Sequence, residues 1–544
     1  MITAQARAGD LYCFVLPSGL TVPDPASSFQ PDDVHGPSEV IDYSGWPGNP
    51  HWKGRPWEEA IIYELHVGAF TPEGTFRGAI DRLDHLQALG ITAIELMPIG
   101  DFSGRRNWGY DGVLPFAPDS SYGRPEDLKA LVDAAHARGL MVLLDVVYNH
   151  FGPDGNYLSL YAPQFFTERH RTAWGKAINF DGPMSRPVRD YFIQNALHWI
   201  EHYGFDGLRF DAVHAIVDDS PRHILGEISD RVRAVTTGRP IHLVLENEEN
   251  EAHWLEREFT AQWNDDVHHV LHTAATGEGY GYYKEYLGDA NKLGRALAQG
   301  FAFQGETMHY RGSARGTASS HLPPRAFVAF LQNHDQVGNR AFGDRISTLA
   351  SPEAIRAAAA IYLLLPQIPM LFMGEEWGAE TPFPFFCDFE PGLGEMVRQG
   401  RREEFSRFPV FRDAAMRERI PDPQALQTFA SAHLQWDDRQ IEKHLQWLRW
   451  YRRILEVRAA KVVPLVSGIC AAASYEVLAE GAVLVRWRTT PCGSLTLAAN
   501  LSGIPVSGFP QLAGEHIWRE GSIEDEGRRL GPCSVIWSLQ RCAA

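Results

Sequence analysis

The sequence predicts an α/β chain built around a (β/α)8 TIM barrel with a loop insertion after strand 3, a short (truncated) N-terminal β segment before it and a C-terminal β-sandwich after it. Three observations lead there. From about Ala60 onward, short apolar runs rich in β-formers alternate with helical patterns, as in a parallel sheet built from βα units. Eight such runs can be counted. The alternation extends over roughly 390 residues, against about 250 for an unadorned barrel, so insertions are expected. Beyond it the pattern changes to closely spaced short strands.

Residues 1–55, including VPDPASSFQPDD and GWPGNPHW, are rich in Pro and Gly and hold one or two strand-like runs such as LYCFVL. The barrel is assigned to 56–460. Its expected strands are AIIYELHVG, AIELMPIG, MVLLDVVYNH, GLRFDAV, HLVLENE, a segment near FTAQWNDDV, AFVAFLQNHD and MLFMGEEWG. Between them TFRGAIDRLDHLQALG, PEDLKALVDAAHARG and PVRDYFIQNALHWIEHYG read as helices, each closed by a Gly. The amphipathic IEKHLQWLRWYRRILEVRAA would close the ring. Residues 151–185, with many Gly, Pro and aromatic residues and no clear period, read as a long functional loop and the largest insertion. AVLVRWRT, SLTLAANL and SVIWSL then mark a small β-sandwich over 461–544.

Composition narrows the function. With 44% hydrophobic and 22% charged residues the chain reads as a folded soluble protein. A net charge of -18 would repel phosphate backbones, which argues against a nucleic-acid partner. The longest apolar run, AAAAIYLLLPQIPMLFMG, is broken by prolines and reads as a buried helix and strand, not a membrane span. No secretory signal is expected in MITAQARAGD. The 6 cysteines (Cys13, Cys387, Cys470, Cys492, Cys533 and Cys542) lack C-x-x-C spacing and are expected to be reduced thiols in a cytoplasmic protein.

The segment GLRFDAVHAI places Arg209 and Asp211 two positions apart on an otherwise apolar strand, so both point into one space. Taken alone, the pair could be a structural ion pair. Other strand ends decide the reading, because the active site of such barrels lies at the C-terminal face of the strands. DVVYNH brings Asp145 and His150, HLVLENEE brings Glu246, and FLQNHDQVGNR brings His334 and Asp335. Three carboxylates on separate strands, Asp211, Glu246 and Asp335, suit glycosidic bond hydrolysis. One carboxylate attacks the sugar carbon and a second, kept protonated, donates to the leaving oxygen. Arg209 would hold Asp211 ionised, while burial and like charges would raise the proton affinity of Glu246. Asp145 is expected to bond Arg209 or nearby backbone.

DVVYNH, GLRFDAVH, LVLENE and FLQNHD, in this order and each at a strand end, resemble the four conserved regions of the α-amylase superfamily. The resemblance implies Asp211 as nucleophile, Glu246 as general acid/base and Asp335 as the carboxylate supporting the distorted sugar. It also implies sugar contacts at subsite −1 from Arg209, His150 and His334, with Tyr110 of NWGYDG as the stacking aromatic. A finer similarity, carried by IIYELHVGAFTPEGTF, AQWNDDVHHVLH, QNHDQVGNR, FMGEEWGAETPF and GRREEFSRF, is to the maltooligosyltrehalose trehalohydrolase family. That family implies cleavage of the α-1,4 bond next to a terminal trehalose, no cofactor, and a maltooligosyltrehalose synthase as functional partner. It implies a full β-sandwich before the barrel, where about 55 residues stand here, and Ser-Asp where Asn247 and Glu248 follow Glu246. A glucan branching enzyme shares the four motifs, and a non-catalytic glucan-binding barrel is a further alternative.

Trp263 and Asp265 are assigned to the trehalose side, with Asn264 and Asp266 beside them. His214, Glu375 and Glu376 either line the pocket or tie loops. His268, His269 and His272 lack zinc-like acid spacing and read as a solvated helix face. Some superfamily members hold calcium near the position of Asn149, but no metal is required by this sequence.

Overall fold

Eight parallel strands close into a barrel in chain order: β1 (Ile62–Leu65), β2 (Ala93–Leu96), β3 (Met141–Val146), β4 (Gly207–Phe210), β5 (His242–Leu245), β6 (Ala261–Trp263), β7 (Phe327–Phe330) and β8 (Ile368–Phe372), with β8 paired to β1. The computed structural model describes residues 6–541 except 47, 48, 50, 237, 470, 472 and 491. Seven strands fall within their expected segments, and β8 begins two residues before the expected MLFMGEEWG, at Ile368. They are buried throughout because both faces of a parallel barrel sheet are covered.

The period of two along each strand divides the core. Ile62, Ala93, Met141, Leu143, Val244, Ala261, Trp263, Val328, Phe330, Ile368 and Met370 fill the barrel interior. Their neighbours, among them Tyr63, Leu65, Ile94, Val142, Leu208 and Leu243, pack outward in the larger core shared with the helices. Glu64, Glu95, Asp145 and Arg209 follow the inward parity one step higher, with Glu64 opposite Glu95 and Asp145 opposite Arg209 in register. Charged groups thus form the uppermost layer of an otherwise apolar interior.

The helices follow local signals. Pro125–Ala137 starts with Pro in its first turn, and Asp127 accepts a hydrogen bond from the Arg124 backbone at 3.1 Å. Leu83–Leu89 and the π turn Trp199–Tyr203, which extends Ser185–His198, both stop at a glycine with positive φ, Gly90 and Gly204.

Several expectations need correction. The strands do not alternate with eight full helices: between β5 and β6 only a 3-10 turn, Ala252–Leu255, is formed. Residues 151–185 are not one loop but hold a short helix, Leu158–Tyr161, and a hairpin of Phe166–Thr172 with Gly175–Ile178. A second long excursion between β6 and β7 carries helices Asp265–Thr276 and Ala290–Gln299 and the hairpin Thr307–Met308/Ser313–Ala314. The face with His268, His269 and His272 is buried, not solvated, because Tyr283 and the end of β7 cover it. His268 lies 2.7 Å from the Leu331 carbonyl and 3.0 Å from the Tyr283 hydroxyl. Cys13, Cys387 and Cys533 are free thiols, but Cys492 is disulfide-bonded, contrary to the all-reduced expectation. Its local sequence carries no spacing motif that announces a bond. Cys470 and Cys542 lie outside the described residues.

At the N-terminal side, two short antiparallel pairs, Leu11–Tyr12 with Ser38–Glu39 and Phe14–Val15 with Thr21–Val22, rest on the barrel. Arg124 meets Glu39 at 2.6 Å there, and Tyr191 donates to the Pro25 carbonyl at 2.6 Å. At the other end, Ser474–Ala479, Ala482–Thr489, Gly493–Asn500, Ser534–Gln540 and Glu515–Glu520 form a five-stranded antiparallel sheet in that spatial order. One face, with Val483, Val485 and Trp487, joins the main core. The other, with Leu484, Ala498 and Ile536, packs against a small three-stranded sheet through Val506 and Leu530. Among the described residues no helix is long and apolar enough to cross a membrane.

Gly207 begins β4 where the backbones of β4 and β5 approach so closely that an added Cβ would stand 2.2 Å from the His242 carbonyl oxygen. Gly207→Ala should therefore force the two strands apart and lower unfolding free energy by about 1–3 kcal/mol. Urea unfolding followed by tryptophan fluorescence measures it, and an unchanged midpoint would contradict the close approach.

Candidate active site

The site is built on the upper interior layer of the barrel, and Arg209 is its centre. Its side chain is fully buried beneath the carboxylates that depend on it. Nη1 donates to Asp145 Oδ2 at 2.6 Å and to Asp211 Oδ1 at 2.9 Å. Nη2 lies 3.0 Å from Glu246 Oε2 as an ion pair. The guanidinium also sits 4.1 Å over the Trp263 ring, a cation–π contact in a water-poor setting.

The environments of the two central carboxylates diverge. Burial works to raise Asp211, but Arg209, the His150 side and a 2.9 Å hydrogen bond from Asn149 hold it below the ordinary carboxylate range. Glu246 is pushed well above that range, first by burial and then by Asp211, Asp335 and Asp265, against the pull of Arg209. One cation thus helps hold Asp211 ionised, while burial and neighbouring acids raise Glu246 against the same cation. Such divergence is the physical requirement for a base or nucleophile working beside an acid.

Backbone geometry fixes the pair. Asp211 lies one residue past β4, its N–H donating to the Val146 carbonyl at 3.1 Å. Ala212 then adopts a left-handed φ of 39°, a costly conformation for a residue with a Cβ. That turn aims the Ala212 N–H at Glu246 Oε2, 2.7 Å away.

The remaining expected residues are distributed as follows. Tyr110 donates to Asp145 Oδ2 at 2.6 Å and stacks on His334, ring centroids 5.0 Å apart. His150 contacts Asn149 and the Tyr110 carbonyl, and Trp174 of the 166–178 hairpin stacks on its ring at 4.5 Å. Asp335 remains partly open to the mouth, accepting from Asn339 at 3.1 Å. Asp265 begins the helix after β6, and burial raises its carboxyl to about 7. It lines a cavity with Glu246, Glu248, Arg311 and Asp335. Trp263 borders the same cavity but is only 1% exposed, because inward parity on β6 makes it floor beneath Arg209 instead of an open wall. Asp145 bonds Arg209. Asn264 and Asp266 are buried in local networks, Asp266 with Arg315 and Tyr286.

His214 and the Glu375–Glu376 pair separate. His214 accepts from the Glu248 N–H at 3.3 Å, near the mouth. Glu375 is bound by Tyr362, Tyr451 and Gln332, and Glu376 by Tyr63 and His85, so both tie the end of β8 to surrounding helices. Sequence reasoning missed Glu64 and Glu95. The signal was available, since each stands two residues after an inward apolar residue on its strand, the same parity argument that singles out Arg209 and Asp211.

Among the described residues one group, His170, Asp181 and Asp219, gathers three side chains able to hold a metal ion. Arg169 already stands 3.0 Å from Asp219 and 3.4 Å from Asp181, supplying positive charge there. Asn149 is engaged with Asp211, as above.

Comparison with known proteins agrees with this architecture. The profile of the α-amylase catalytic domain matches residues 53–174, and that of a domain of unknown function matches residues 470–537. The malto-oligosyltrehalose trehalohydrolase of Deinococcus radiodurans is 44% identical over 457 residues, covering 83% of this chain and 74% of that protein. The protein of the same name from Mycobacterium tuberculosis is 39% identical, covering 98% of this chain and 92% of its own length. A crystal structure of a putative α-amylase from Salmonella typhimurium superposes with a TM-score of 0.94 at 45% identity, covering 99% of this chain and 92% of that one. The chain belongs to the malto-oligosyltrehalose trehalohydrolase family, within the α-amylase superfamily.

Proposed function

We propose that the protein hydrolyses the α-1,4-glucosidic bond adjoining the terminal trehalose of a maltooligosyltrehalose, releasing trehalose and a maltooligosaccharide with retention of configuration. The observation that carries the chemistry is the split in proton affinity across Arg209. Asp211, held ionised, attacks the anomeric carbon. Glu246, held protonated, donates to the leaving oxygen and then takes a proton from the water that resolves the glycosyl-enzyme. Asp335 faces the sugar from the opposite strand ends and stabilises the positive charge that develops at the ring. Tyr110, His150, Arg209 and His334 surround the same subsite.

The shape of the mouth supports an oligosaccharide substrate. The cavity beside Glu246 and Asp335 is continuous, through Tyr282, Tyr310, Gln336 and Asn339, with a groove reaching Arg340, Phe405 and Phe408. Aromatic and charged side chains both line it, as suits sugar rings with apolar faces and polar rims. Trehalose specificity is supported by membership of the family, with Asp265 as its best-placed contact residue. A maltooligosyltrehalose synthase would be the functional partner that supplies the substrate.

Incubation with maltotriosyltrehalose, maltopentaose and amylose, with products quantified by chromatography, tests the reading. Rapid trehalose release from the first and slow attack on the others is expected. Shortened or α-1,6-branched linear glucans without trehalose would overturn the specificity. Asp211→Asn should lower kcat by about a thousandfold or more, whereas a glucan-binding protein without activity would show no such dependence. Glu246→Gln should cost about 100- to 10,000-fold. Because Glu246 is raised, its proton is held to higher pH than that of an ordinary carboxyl and is lost as pH rises through the raised value. Native kcat should therefore fall on the alkaline side, and this limb should vanish in Glu246→Gln when an activated fluoride leaving group removes the need for an acid.

A further inference from the structure

Below the sugar-binding face, His334 is held from β1 by a carboxylate that the reaction itself does not use. Glu64 Oε1 lies 2.5 Å from His334 Nδ1, and Glu64 Oε2 accepts the His334 backbone N–H at 3.0 Å. Both side chains are 1% exposed. On its other edge, His334 Nε2 stands 3.5 Å from Asp335 Oδ1. Each ring nitrogen therefore faces a carboxylate, a group that when ionised only accepts. A neutral imidazole would leave one nitrogen lone pair directed at an acceptor. The imidazolium satisfies both contacts.

We propose that Glu64 is a positioning residue that fixes His334 in the doubly protonated form, with its Nε2–H standing beside Asp335 as a permanent hydrogen-bond donor to the bound sugar. The proposal rests on the reading of the carboxylate cluster as a glycosidase site.

The surroundings fit a buried cation. Tyr110 stacks on the ring, Trp108 meets it at 5.7 Å and Trp263 at 5.9 Å, so aromatic groups enclose it. Glu95, opposite Glu64 in register, has no hydrogen-bond partner on either oxygen, and burial pushes its carboxyl well above the ordinary range. Burial thus disfavours a charge on Glu95, and Glu64 is the acid in contact with the ring. Arg209 opposes protonation of His334 from β4, while Asp145 on β3 is offset by its own contact with Arg209. His66, just past β1, is lowered to about 4 by burial and is neutral. In balance, burial lowers His334, but Asp335 and Glu64 outweigh it and raise it to about 9.

Histidine 15N NMR on the full chain, with His334 assigned by its loss in His334→Gln, tests this without substrate. The native protein should show two protonated ring nitrogens at pH 8. In Glu64→Gln the titration should move down by about 2.5 pH units, to the ordinary value near 6.5. The kcat of that variant on maltotriosyltrehalose should be about thirtyfold below native at pH 8 and within about twofold at pH 5.5, the fractions expected for that shift. An uncharged His334 at pH 8 in the native chain, an unshifted titration, or a loss of kcat equal at both pH values would overturn the proposal. The native spectrum alone decides if the variant does not fold. If no trehalose is released yet the spectra behave as expected, the specificity reading fails and the positioning role stands.

Discussion

The structure of the site depends on one buried guanidinium. Transferring a carboxylate from water into a protein interior costs on the order of several kcal/mol unless a compensating charge and hydrogen bonds await it. Asp145, Asp211 and Glu246 converge within 3 Å of Arg209, which is itself fully buried. Its planar fork reaches several partners at fixed angles, which a lysine ammonium cannot do. Tyr110 and Trp263 then bind to members of this set, so the aromatic walls are oriented by the same charge. The left-handed turn at Ala212 adds the last constraint, placing a backbone donor on Glu246.

Much of this was legible in the sequence because barrel strands obey simple rules. Continuous apolar runs located β1 to β8, and charged residues at strand ends marked the face where side chains converge. The convergence of Asp211, Glu246 and Asp335 needed only the closure of the barrel. Less legible was everything set by contacts between distant segments. His268, His269 and His272 look polar in the sequence, yet Tyr283 and the Leu331 carbonyl satisfy and bury them. The lack of a helix between β5 and β6 is hidden because the residues there include enough Trp, Leu and Glu to suggest one. Trp263 looks like a sugar platform until its inward parity and its place under Arg209 are seen.

Glu64 and Glu95 represent another kind of omission. Acids inside apolar strands are costly, so their presence at inward positions implies a use, but what use depends on partners far along the chain. Glu64 meets His334 across 270 positions of sequence. Glu95 meets no hydrogen-bonding partner, and burial raises its carboxyl well above the ordinary range. Two identical residue types in register, on adjacent strands, thereby stand in different settings, one bonded to a histidine and the other without a hydrogen-bond partner. Neither composition nor motif spacing distinguishes them.

The C-terminal sheet also differs from what its place in the sequence suggests. The helix Glu442–Val457 continues through a π turn, Arg458–Val462, into Val463–Val466, so it runs through the point where a division of the chain at 461 would fall. Arg458, fully buried, donates to the carbonyls of Leu363, Leu365 and Gln367, and Trp537 donates to that of Ala360. The sheet is therefore joined to the helix that precedes β8 through Trp537, and the segment leading into the sheet is joined to the end of that helix through Arg458. Through this contact the helix that leads into β8 is braced from beyond the barrel, so the strand end that carries part of the mouth has support outside the ring.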